Sequence, residues 1–96
     1  MKEKPNYYAI ISAEVRYDKD LTANAKLLYA EITALLNMNG ECFATNKYFS
    51  NLYGKSIVTI SKWISELVAN GYISTYYTYK EGTKEIDRRY ISILKG

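Results

Sequence analysis

The hydrophobic patterning predicts an α+β domain of the winged helix-turn-helix class: three helices, a C-terminal β-hairpin wing and a short N-terminal strand. Three observations carry this expectation. A short helical stretch and a longer one meet across only Gly54-Lys55, the tight glycine-containing turn of a helix-turn-helix unit. The longer stretch is amphipathic at helical spacing. Directly after it come two β-prone runs separated by a turn.

The elements follow in order. Residues 7–12, Tyr-Tyr-Ala-Ile-Ile-Ser, are β-prone and read as an edge strand or extended arm, and Val15 to Asp20 reads as a polar turn. Thr22 is suited to cap the first helix, because its hydroxyl can accept from an unpaired backbone N–H of the first turn. Leu21, Ala25, Leu28, Ile32 and Leu35 then recur on one helical face, and Leu27, Tyr29, Ala34 and Leu36 widen that stripe. Asn37-Met38-Asn39-Gly40 ends the helix, with Gly40 suited to a left-handed terminus. Glu41 to Ala44 is expected to make a single β-bridge. Thr45 caps a second helix, Asn46 to Tyr53, with Tyr48, Phe49 and Leu52 inward.

Ser56 caps the third helix, which runs to about Asn70. At about 100° per residue, Ile57, Ile60, Trp63, Ile64, Leu67 and Val68 fall on the inner side. Lys55, Val58, Thr59, Lys62, Ser65 and Glu66 fall on the outer side, with Ser61 at the margin. Asn70-Gly71 stops the helix, and Tyr72–Tyr79 and Glu85–Leu94 are the strands of the hairpin. Their register is left open by the residues.

Composition bounds the chemistry. At 96 residues, 48% hydrophobic and 24% charged, the chain is expected to fold as one domain spanning 1–96. No apolar run approaches the roughly 20 residues that span a bilayer. The charged start has no following apolar core of a signal peptide, so cytoplasmic residence is the default expectation. There is no histidine and one cysteine, Cys42, which is expected to be a small buried hydrophobe. These absences exclude Ser-His-Asp and Cys-His catalysis and the usual Cys/His zinc sites. Phosphate-binding glycine loops are missing as well. The chain is therefore expected to be no enzyme and to use no metal or cofactor.

The net charge of +3 is unevenly placed. Residues 1–54 carry six Lys/Arg against six Asp/Glu, and residues 55–96 carry seven against four. The excess sits with the third helix and hairpin, where phosphate contacts would be made. In a winged helix the later helix enters the major groove. Thr59 and Ser61 offer short donors and acceptors there, and Lys62 a long cation. Ser56 opens a helix start whose amides suit a phosphate, and Lys55 lies beside it. Lys80 and Lys84 at the hairpin tip are candidates for the DNA backbone or minor groove. Arg88 and Arg89 join them according to the sheet face each occupies. Val58 faces outward where a polar residue is usual; it either contacts a thymine methyl or packs on a partner.

Tyr8 to Ile11, Val15-Arg16-Tyr17-Asp18, Leu21 with Ala25 to Tyr29, Ala44 to Phe49, Thr59 to Ile64, Leu67 and Gly71-Tyr72-Ile73 together carry a resemblance. Over nearly its whole length the chain resembles the N-terminal winged-helix domain of phage and plasmid replication initiators, including DnaD-like replication proteins and replisome organisers of Gram-positive bacteria. The stretch from Val-Arg-Tyr-Asp to Asn-Lys-Tyr-Phe is the more specific part. Thr-Ile-Ser-Lys-Trp-Ile fits many winged helices. The resemblance implies binding of origin or operator double-stranded DNA through the third helix, often as a dimer or higher oligomer. It also implies recruitment of replication proteins through a C-terminal region, so the chain looks like an excised DNA-binding domain or a truncated member. Lys55 departs from the pattern, because that turn position is commonly apolar. A transcriptional regulator, and a protein-interaction winged helix that has lost DNA binding, are the alternative functions. Some of Tyr72, Tyr76, Tyr77, Tyr79 and Tyr90 must be exposed, and a homodimer interface through the sheet or the N-terminal strand is expected.

Overall fold

The structure, a computed structural model, describes residues 8–96. Its elements are α1 (Ala13–Arg16), α2 (Ala23–Asn39), α3 (Asn46–Tyr53), α4 (Ile57–Ala69), β1 (Ile73–Tyr79) and β2 (Ile86–Ile93). This is the expected α+β arrangement of helices followed by a hairpin, with one helix more than the patterning predicts.

The extra helix is α1. Its single turn lies where a polar turn is expected, capped by Ser12 and anchored by Val15, which is fully buried. A four-residue helix holds by such tertiary burial rather than by propensity. The expected N-terminal strand is not formed among the described residues. Tyr7 lies outside them, and Tyr8 to Ser12 is irregular. The sheet contains β1 and β2 alone, and Ile11 packs against the core instead of pairing.

The three long helices begin where their capping hydroxyls are. Thr22, Thr45 and Ser56 accept from the amides of Ala25, Tyr48 and Thr59. Helices α2 and α3 end at Gly40 and Gly54, both at positive φ, which an L side chain would strain. Between α3 and α4 the chain turns in three residues. The Lys55 amide donates to the Ser50 carbonyl at 3.1 Å, and the Ser50 hydroxyl donates to the Lys55 carbonyl.

All elements contribute to one core, including Val15, Leu28, Ile32, Phe49, Ile60, Leu67, Tyr72, Ile73 and Ile91. Helix α4 packs against α2, α3 and β1. The apolar stripes are narrower than the spacing predicts. Leu27 of α2 and Ile57 and Val68 of α4 are exposed, because each lies at the edge of its stripe where no neighbouring element reaches.

The hairpin register pairs Ile73 with Ile93, Thr75 with Ile91, Tyr77 with Arg89 and Thr78 with Arg88. It then slips by one, so that Tyr79 pairs with Ile86 and Asp87 is the extra residue of a bulge. Period-two alternation puts Ile73, Thr75, Tyr77, Arg89 and Ile91 on the inner face, and Tyr76, Thr78, Arg88 and Tyr90 on the outer. The expected single bridge is present: Cys42 pairs with Ile91, whose amide donates to the Cys42 carbonyl at 2.8 Å. Cys42 is buried, and burial pushes its thiol pKa up, as suits a core residue rather than a nucleophile. No helix among the described residues is long and apolar enough to cross a membrane.

Candidate nucleic-acid interface

Helix α4 has a buried side built on Ile60, Ile64 and Leu67. Opposite that side, at about 100° per residue, lie Val58, Lys62, Ser65 and Ala69, with Ser61 at the margin beside them, all exposed. They form a ridge along the outer surface of the helix-turn-helix unit. Lys55 and Ser56 lie at its N-terminal end and are also exposed. Five of the expected site residues are thus brought together: Lys55, Ser56, Val58, Ser61 and Lys62.

Thr59 sits off the ridge. It is half-buried on the helix flank, and its hydroxyl oxygen accepts from the Ser56 hydroxyl at 2.9 Å. The Ser56 oxygen in turn accepts from the Thr59 amide at 3.1 Å. Both side chains are therefore engaged in starting the helix, and they fix the turn that carries Val58.

Glu66, expected on the outer face, instead reaches across to α2. Its carboxylate accepts from the Thr22 amide and, at 3.0 Å, from the Thr22 hydroxyl. An anion at a helix N-terminus is favoured by the unpaired amides and the helix dipole. The contact locks the start of α2 to α4 and takes a negative charge away from the ridge.

The hairpin cations divide into three situations. At the tip, Lys80 is paired with Glu85 at 3.3 Å, the one ion pair among the described residues, and Lys84 is exposed. Arg88, on the outer sheet face, lies over the Phe43 ring with its guanidinium carbon 4.4 Å from the centroid. Arg89, on the inner face, donates to the Asn46 side-chain oxygen at 2.7 Å and to the Ala44 carbonyl at 2.7 Å. Its remaining Nε is buried with no partner among the described residues, and burial lowers the guanidinium pKa. Arg89 joins the hairpin to the start of α3, an engagement that the residue spacing does not reveal because its partners lie 43 and 45 residues away.

Between α4 and the hairpin runs a groove lined by Asn46, Ser61, Ser65, Thr75, Tyr77 and Arg89. Asn46 and Tyr77 are not among the expected site residues. Their placement depends on the hairpin folding back beside α3, which no local pattern encodes. On the opposite sheet face, Tyr76 and Tyr90 stack with centroids 5.1 Å apart, and Phe43 meets Tyr90 edge-on at 6.2 Å. Tyr72 faces inward and is buried.

A family model described as a helix-turn-helix domain matches residues 19–73, from the approach to α2 to the first residue of β1. No curated protein and no solved structure matches the chain.

Proposed function

We propose, from the premise that this chain belongs to the helix-turn-helix domain family, that it reads specific sequences in double-stranded DNA with α4 in the major groove and the hairpin against the backbone. The observation that carries the reading is the α4 ridge. Val58, Ser61, Lys62 and Ser65 stand exposed on one line of the helix that follows the tight turn, while its only carboxylate, Glu66, is turned away to Thr22. A groove-reading helix needs this combination of short hydrogen-bonding groups, a cation and no facing anion. Lys55, at the helix start, and Lys84, at the hairpin tip, are the cations for phosphate contact; Arg88 is a third. Arg89 holds the hairpin in place and acts on DNA only by positioning it.

The resemblance to phage and plasmid replication initiators makes origin recognition the finer reading, with replication proteins as partners and the cytoplasm as the compartment. Binding rather than catalysis is the role. Homodimerisation through the hairpin belongs to the same reading and is supported by Tyr76, about half exposed on the outer sheet face away from the α4 groove. Sedimentation that shows only monomer at high concentration would remove the dimer from it.

The test is fluorescence anisotropy on a random-sequence duplex pool at low and at physiological salt, with sequencing of the bound fraction. The expected result is enrichment of one motif and an affinity that falls steeply with salt, as released counterions require. Absence of binding even at low salt would overturn the reading in favour of a protein-interaction domain.

A further inference from the structure

We infer that the ridge recognises thymine by its C5-methyl group, with Val58 as the contacting residue, so that the target carries a T·A pair under the first turn of α4. The inference rests on the proposed DNA-binding reading and names what that site selects.

Val58 is 67% exposed and its neighbour Ile57 50% exposed. Val58 therefore faces outward with most of its surface uncovered, and Ile57, at the edge of the buried stripe, adds a half-exposed apolar surface beside it. The major-groove edge of DNA offers one apolar feature, the thymine methyl; its other groups are hydrogen-bond donors and acceptors. An aliphatic side chain on a groove-reading surface has that methyl as its complement. The rest of the ridge sharpens the assignment. It contains no Asn, Gln or Arg, the residues that grip adenine or guanine through paired hydrogen bonds. Ser61 and Ser65 bond to several base edges and discriminate weakly, which leaves Val58 and Lys62 to carry selectivity.

Position and charge agree. The N-terminal part of a recognition helix approaches the base edges, and Val58 lies two residues after the Ser56 cap. That cap fixes the turn through the Thr59 amide, and a β-branched side chain is stiff at χ1, so the two γ-methyls are held in place. Lys62 lies one turn after Val58 on the same helix face, and Lys55 is exposed in the turn that precedes the Ser56 cap. Cations on both sides complement a phosphate-lined groove and repel the same patch of a second copy.

The experiment starts from a duplex recovered from the random pool and rebuilds it with deoxyuridine in place of thymidine, one position at a time. Deoxyuridine removes the methyl and keeps every hydrogen bond. Loss of about three- to fivefold in affinity is expected at one or two positions, the size of one buried methyl. Val58→Ala should bind the thymidine and deoxyuridine duplexes equally at those positions, with an unchanged circular-dichroism spectrum. Val58→Thr, which keeps one γ-methyl, should retain part of the discrimination. Equal binding of the wild-type chain to the duplex with every thymidine replaced would overturn the inference and leave the DNA-binding reading standing. A Val58-dependent dimer with no such discrimination would overturn it too, in favour of a second copy on this patch. Failure to bind any duplex would remove both readings together.

Discussion

Tyr72 and Asp18 make a contact whose two ends titrate on opposite sides of neutrality. The buried Tyr72 ring directs its hydroxyl to donate to an Asp18 carboxylate oxygen at 2.5 Å. This bond, helped by the Asp20 amide, holds the Asp18 carboxyl below its ordinary 3.8. The same bond raises the phenol from 10.0 to about 12, because ionising it would set two anions together. The depressed carboxyl contributes stability above its unfolded value, and that contribution is lost as pH falls below about 4. The raised phenol contributes fully below about pH 10, and that contribution is lost as pH climbs towards 12. Tyr72→Phe should therefore flatten both limbs of a plot of unfolding free energy against pH, measured by urea titration. Unchanged limbs in that variant would show that the contact carries neither.

At the scale of elements, two long-range struts set how the α4 ridge is presented. Glu66 ties α4 to the first turn of α2, and Arg89 ties β2 to the first turn of α3. Removing Glu66 leaves the Thr22 amide without that acceptor, so Glu66→Ala should cost about 1 kcal/mol, the size of a lost cap. Removing Arg89 breaks two bonds from a half-buried charged group, and Arg89→Ala should cost about 2 kcal/mol. Denaturant midpoints should fall for both with the slope unchanged. Arg88→Ala should leave the midpoint near wild type and weaken DNA binding across sequences, since its guanidinium lies on the outer face.

These struts mark where local reading ends. Thr22, Thr45 and Ser56 were legible as caps because a cap acts within three residues of itself. Gly40 and Gly54 were legible as terminators for the same reason. Helix α1 was not, because one turn carries too little periodicity and its cause is the burial of Val15 by distant elements. The β-prone Tyr8 to Ser12 formed no strand, because strand formation needs a partner edge that the chain does not bring near it. Glu66 looked like part of the outer face because its partner is 44 residues away. Of the expected site, Val58 and Lys62 followed from helical geometry alone, and Ser61 as a residue at the margin of that face. The separate situations of Arg88 and Arg89 waited on the hairpin register, since adjacent strand residues face opposite ways.

For the whole molecule, the charge distribution sets the strength of association. Lys55, Lys62, Lys84 and Arg88 are exposed and have no carboxylate partner among the described residues. About four phosphate contacts imply a fall in affinity of roughly a hundredfold between about 50 and about 200 mM salt. A nearly flat salt dependence would mean that the basic C-terminal half does not face DNA. Whether the α4 ridge reads the major groove is decided by the double variant Ser61→Ala/Lys62→Ala. Its affinity for a pool-enriched duplex and for a scrambled one would be measured by anisotropy, beside its urea midpoint. At least a tenfold loss on the enriched duplex, a smaller loss on the scrambled one and an unchanged midpoint are expected. Wild-type affinity for the enriched duplex in that variant would contradict groove reading by the ridge.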